Sequence, residues 1–217
     1  MDRIDEISLS GMLPDVFKSE SIPDSQVWRS RLVIKRGCRL LIEAASGGGK
    51  SSLCAYLFGS RTDYQGTLRF NSEDVRTFDI ARWQEIRRSH LAYLPQELSL
   101  FPELSAWQNI QLKNRLTGAL SDSRVEELFE RLGISNRRDY PVGKMSIGQQ
   151  QRVAIIRSVC QHFDFILLDE PVSHLDSGNN RIAADIIVEE ASRQGAGIIS
   201  TSVGNAISIP DLSSIRL

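Results

Sequence analysis

Residues 44–52 read A-A-S-G-G-G-K-S-S and lie between two apolar runs, Leu40-Leu41-Ile42 and Leu53-Cys54-Ala55-Tyr56-Leu57. That order describes a strand, a glycine-rich turn and the start of a helix. A backbone that curls through Gly47, Gly48 and Gly49 turns successive N–H groups inward, and the positive end of the following helix adds to them. Such a cradle binds phosphate. The spacing follows G-x-x-x-x-G-K-[ST] at its end, with Gly49, Lys50 and Ser51, while Ala44 stands where that pattern has its first glycine. In this pattern the lysine reaches terminal phosphates and the serine hydroxyl ligates Mg²⁺. A flexible Gly/Ser loop with a chance lysine is the plain alternative, and the rest of the chain decides between them.

A phosphate loop needs an acidic site for its metal. The run Phe165-Ile166-Leu167-Leu168 ends in Asp169-Glu170-Pro171. A carboxylate that closes a buried strand emerges at the carboxyl edge of a sheet, where open α/β folds bind ligands. Mg²⁺ takes oxygen ligands and keeps several waters, so Ser51, phosphate oxygens and a water-bridged Asp169 suit it. Glu170, one residue on, is placed to orient and polarise a water attacking the terminal phosphate. A capping or solvated acidic pair is the bland reading of Asp169-Glu170, and a phosphate loop upstream argues against it. Ser146, in Ser146-Ile147-Gly148-Gln149, is an N-cap that opens a helix with free N–H groups.

The elements that must hold these residues follow from periodicity. Strands are expected at 4–9, 31–35, 39–43, 66–70, 90–94, 164–168 and 197–201, with a last edge strand at 213–217. Helices are expected at 50–57, 79–89, 105–113, 121–133, 146–161 and 180–193, and a loop over 11–25. Strands alternating with helices argue for a mostly parallel α/β sheet with right-handed crossovers. From Gln96 to Lys144 strand character fades and helical pieces take over.

Bulk composition is that of an ordinary globular protein, 41% hydrophobic and 24% charged over 217 residues. With 27 acidic residues against 26 basic ones, the formal charge of -1 gives no support for a general nucleic-acid or membrane-surface binder. Cys38, Cys54 and Cys160 show neither metal-ligand spacing nor a disulfide framework, which fits buried thiols in a reducing compartment. The charged amino terminus has no apolar signal core, and no apolar run approaches the ~20 residues of a membrane span. Any membrane role is therefore expected to pass through a separate partner.

Taken in order, these motifs resemble the ATP-binding-cassette (ABC) ATPases over nearly the whole chain. Met145-Ser146-Ile147-Gly148-Gln149, followed by Gln150-Gln151-Arg152, resembles the family signature L-S-G-G-Q and its continuation. Tyr93-Leu94-Pro95-Gln96 is similar to the Q-loop, and the strand ending in Asp169-Glu170 to the Walker B motif. Ser173-His174-Leu175-Asp176 is similar to the D-loop, and residues 100–110 to the segment that touches a transporter's membrane subunit. The resemblance implies a P-loop NTPase fold of ABC ATPase type: a mostly parallel core sheet, an N-terminal antiparallel β part and a helical insert. It implies one nucleotide-binding domain, with 1–95 and 162–217 as a RecA-like core and 96–161 as a helical subdomain that includes the signature helix.

For the site, the resemblance implies nucleotide contacts from Ser46, Gly47, Gly48, Gly49, Lys50, Ser51 and Ser52, with Phe17 stacking on adenine and Trp28 as the second choice. Ser51, Gln96 and Asp169 would hold Mg²⁺, and Glu170 and Gln96 would attend the attacking water. In the family two such domains meet head to tail, so Ser146, Gly148 and Gln149 would contact the ATP held by another copy, and Asp176 would lie at the seam. Aligning the strand 198–201 with the one before the family's switch histidine puts Ser202 there, as a catalytic-site residue without an imidazole. Ile147 likewise replaces a signature glycine. His90 is read as a strand-edge residue, His162 as a helix-end one, and His174 as flanking the D-loop.

The expected activity is ATP hydrolysis by a subunit that dimerises around Mg·ATP, as a homodimer or heterodimer, and drives a separate permease from the cytoplasmic face of the membrane. The alternative, motivated by Ala44, Ile147 and Ser202, is a weakly or non-hydrolysing regulatory module of an ABC complex. The Q-loop region resembles lipoprotein-releasing, macrolide-export and amino-acid-importer ATPases. No nucleic-acid partner is expected.

Overall fold

The computed structural model describes residues 3–18 and 25–217. Pro23, part of the expected 11–25 loop, lies outside them. β1 (Glu6–Pro14) alternates buried Ile7 and Leu9 with Ser8 and Ser10 turned toward solvent, the pattern of a strand with one wet face. β2 (Arg31–Lys35) and β3 (Arg39–Glu43) follow, and β3 leads through the glycine loop into α1 (Lys50–Leu57). Then come β4 (Tyr64–Phe70), β5 (Glu73–Asp74), α2 (Ile80–Ser89) and β6 (Leu91–Leu94). The antiparallel sheet has the order β2-β1-β4-β5.

The expected loop over 11–25 is corrected at its start, because β1 runs on to Pro14. The ladder to β4 shifts register between Ser10 and Leu13. A side chain at Gly66 would fall 2.4 Å from the backbone of Gly11, so the pair of glycines lets the two strands approach where the bulge sits.

After β6 the described chain forms α3 (Ala106–Thr117), α4 (Asp122–Arg131), two single 3₁₀ turns and α5 (Ile147–Val159), with no strand element among them. β7 (Phe165–Asp169), α6 (Ser177–Gln194), β8 (Gly197–Ser202) and β9 (Ser213–Arg216) complete the chain. The second sheet, β6-β7-β8-β3-β9, is parallel at every pairing. All of β7 is buried, as a strand covered on both faces must be. One apolar core joins α3–α6 to the sheet face carrying Leu94, Ile166 and Leu168. The other joins α1 and the antiparallel sheet to the face carrying Ile42, Leu167 and Ile199.

His90 stands directly before β6, the edge strand of the parallel sheet, as expected, and it has a further role. It is buried at the C-terminal cap of α2, and its Nδ1 lies 2.6 Å from Asp164, whose carboxylate also accepts the Ile4 amide. That bond pins the amino-terminal strand to the base of the parallel sheet.

A buried ion pair ties the helical segment to the core. Arg124 of α4 donates at 2.9 and 2.7 Å to Glu190 of α6, which is only 2% exposed. Arg124→Met leaves that carboxylate with Arg193 at 3.4 Å, and urea unfolding should show a loss of about 3–5 kcal/mol. The double variant Arg124→Met, Glu190→Met should recover most of it, because no buried charge is left unpaired: Glu127 and Arg193, which also lose a partner, are exposed.

Candidate functional site

The glycine loop is a tight curl. Gly47 and Gly49 adopt positive φ, +82° and +93°, and Gly49 is the N-cap of α1. Ala44 is not among the positive-φ residues. A methyl group added to Gly48 would fall 2.9 Å from the Ala44 Cβ, so the loop has room for one of the two. Trp28 supports the curl from below. It is buried, its indole N–H donates to the Gly48 carbonyl at 3.2 Å, and its ring lies 3.1 Å from where a Gly49 side chain would begin. Phe17, half-buried, approaches the same point at 3.1 Å.

Lys50 is buried at the start of α1, with its Nζ 3.3 and 3.1 Å from the Ala44 and Ala45 carbonyls and 3.7 Å from a Glu170 carboxylate oxygen. The Ser51 hydroxyl lies 3.5 Å from Oε1 of Gln96. Ser51 and Asp169 line a cleft of about 640 Å³. The loop, the Q-loop glutamine and the acidic strand end are therefore brought to one place. Their oxygens suit a hard divalent cation. Among the described residues no group of three or more His, Cys, Asp or Glu could hold a metal by itself. The donor set thus fits an ion that arrives with phosphate oxygens.

Thr201 carries a role the sequence reading did not assign. Its hydroxyl donates to Asp169 Oδ1 at 2.7 Å and accepts the Glu170 amide at 3.2 Å. Its signal was position alone, one residue before Ser202 on a buried strand. Glu170 itself has φ of +50°, a strained backbone for a residue with a side chain. Ser202 is buried at the end of β8, where its hydroxyl accepts the Gly204 amide at 3.0 Å and its carbonyl accepts the Ala44 amide at 3.3 Å.

The signature residues form a closed turn. Ser146 caps α5 by accepting the Gln149 amide, while the Gln149 side chain accepts the Ser146 amide, a reciprocal capping box. Gly148 packs against the segment after β7, where an added Cβ would lie 3.0 Å from the His174 carbonyl. Ile147 is 49% exposed and turns away from the fold. Asp176 caps α6, and the amide and carboxamide of Asn179 hold its carboxyl below the usual carboxylate range. Ser46 and Ser52 flank the curl, the latter accepting from Arg61 at 3.0 Å. Burial pushes the Cys54 thiol, on the inner side of α1, well above its ordinary value, so it is an inert core group.

The ABC transporter family profile matches residues 29–173. The macrolide export ATP-binding/permease protein MacB of Salmonella choleraesuis (strain SC-B67) is 35% identical over 173 residues, 78% of this chain and 27% of that protein. The MacB of Escherichia coli (strain K12) is 33% identical over 195 residues, covering 87% of this chain and 30% of that protein. The chain spans less than a third of the length of these relatives. Among solved structures, the dimeric bacterial ABC transporter cassette MJ0796 superimposes with a TM-score of 0.79 at 22% identity, over 97% of this chain and 94% of that one. A bacterial Atm1-family ABC exporter with ATP bound gives 0.77 at 19% identity, over all of this chain and 38% of that one.

Thr201→Val removes the donor to Asp169 and the acceptor for the Glu170 amide. Urea unfolding should show a loss of about 1–3 kcal/mol, largely restored by Thr201→Ser.

Proposed function

Because this chain belongs to the ABC transporter family, we propose that it is an ATP-binding and ATP-hydrolysing subunit that pairs with a second nucleotide-binding domain and drives a separate membrane permease. The observation that carries this reading is the convergence of Lys50 on Glu170, at 3.7 Å, and of Ser51 on Gln96, at 3.5 Å, with Ser51 and Asp169 lining the same cleft. In it, residues 1–95 and 162–217 act as the core and 96–161 as the helical subdomain.

The loop amides and the start of α1 bind the terminal phosphates. The Lys50 ammonium exchanges the Ala44 and Ala45 carbonyls for phosphate oxygens. Ser51, Gln96 and Asp169 would hold Mg²⁺, which when bound neutralises charge on the phosphates. Glu170 accepts a hydrogen bond from a water and aims its oxygen at the γ-phosphorus. The new P–O bond forms as the bond to the β-phosphate oxygen breaks, giving ADP and phosphate, and the water's proton leaves by the carboxylate. Phe17 is the candidate face for adenine. Ser146, Gly148 and Gln149 cap the nucleotide of the second domain, and Asp176 lies at the seam.

No described helix is long and apolar enough to cross a membrane. The permease would meet the cleft at exposed Phe101 and Leu112, which line it. The relatives named as MacB carry both ATP-binding and permease functions in their names, which supports an export-type partnership at the cytoplasmic face.

A second reading, a poorly hydrolysing regulatory module, is favoured by one observation. Ser202 offers no imidazole, and its hydroxyl is engaged by Gly204. Turnover with and without the permease separates the two. Under the first reading Glu170→Gln keeps ATP affinity and lowers turnover by about 10²-fold or more, while Lys50→Ala weakens ATP binding by more than about tenfold. Wild-type turnover no higher than that of Glu170→Gln would favour the regulatory module. Unchanged affinity in Lys50→Ala would remove the loop from the site.

A further inference from the structure

The turn between β7 and α6 is gripped by a side chain from a different element. Gln151 of α5 is 1% exposed, and its carboxamide reaches both ends of that turn. Its Oε1 accepts the His174 amide at 2.9 Å. Its Nε2 points between the Glu170 carbonyl, at 3.5 Å, and the Ser173 hydroxyl, at 3.4 Å. Thr201 holds the Glu170 amide from the opposite side. Glu170 thus sits in its positive-φ conformation with the peptide group on each side tethered. A strained backbone persists only where its surroundings over-determine it.

α5 touches this turn at a second point. Gly148, one helical turn before Gln151, abuts the His174 carbonyl whose own amide Gln151 holds. Any displacement of the start of α5 is therefore delivered to residues 170–174 as well as to the capping turn at Ser146. Packed, fully hydrogen-bonded contacts of this kind move between discrete arrangements and do not deform smoothly.

We infer that Gln151 is a positioning residue: it fixes the backbone of Glu170, and so makes hydrolysis in this chain's own site depend on how its α5 is seated. This rests on the ATPase reading above, in which the start of α5 caps the nucleotide of the second domain. A nucleotide bound there then sets Glu170 here, and the two sites of a dimer are coupled through one buried carboxamide.

The test uses the intact chain carrying Gln151→Met, which keeps the length of the side chain and removes both of its hydrogen-bonding groups. Hydrogen exchange without nucleotide should show the amides of Glu170 and His174 exchanging about tenfold faster or more, with the rest of β7 unchanged. Steady-state kinetics should show kcat lower by roughly tenfold to a hundredfold, KM for Mg·ATP changed by less than about twofold, and cooperativity in ATP reduced. In a Glu170→Gln background the same change should cost no further activity, because it acts through that residue. Gln151→Glu keeps the acceptor for His174 and loses the donor, and should still lower kcat should the methionine variant not fold.

Unaltered exchange at 170 and 174, or an additive loss in the double variant, would overturn the inference. A wild-type protein without turnover would remove the ATPase reading instead, and the exchange measurement would still decide the clamp.

Discussion

β3, β7 and β8 pair in parallel with a register that sets Glu43 opposite Ser202 and Asp169 opposite Thr201. The glycine loop, the acidic pair and the β8 hydroxyls all leave the sheet at the same edge for that reason. Side chains alternate along a strand, so a slip of one residue in β7 would turn Asp169 away from Thr201 and send Leu168 into its place. The apolar residues of β7 are buried on both sides and resist such a slip. Core packing, more than any polar contact, therefore sets where the ionisable groups meet.

On that edge the polar contacts are few and specific. Thr201 orients Asp169 and secures the next peptide, Ser202 closes the turn after β8 and meets the loop, and Lys50 lies between two loop carbonyls and Glu170. Each is buried or nearly so, in surroundings where an unmet hydrogen-bonding group is costly. A single arrangement of the acidic turn follows from that cost. The helical segment answers to it through α5, whose glycine and glutamine lie against the turn, and through the Arg124–Glu190 pair, which holds α4 to α6.

Much of this was readable before any coordinates. The apolar run Leu40–Ile42 before the glycines, the uninterrupted apolar run before Asp169, and the cap at Ser146 placed the sheet edge and the start of α5. The contacts that cross the sequence were harder to see. Thr201 and Gln151 look like ordinary strand and helix residues, and only the fold brings them to Glu170, 31 and 19 residues away. Pro14 disguised the end of β1 as loop, because a proline in a strand is tolerated at its end. His90 read as an edge residue and no more, since nothing local announces a carboxylate 74 positions further on.

Ala44 and Gly48 share the room for a single methyl group. The loop's need, then, is for one small residue at either of two places, not for a fixed letter at the first. A chain with glycine at 44 loses the 2.9 Å contact at 48, where an added methyl group then meets only the Ala45 carbonyl, at 3.2 Å. Seen this way, the missing glycine is a relocated vacancy within one curl of backbone. Searches by letter would pass over other sequences that have made the same exchange.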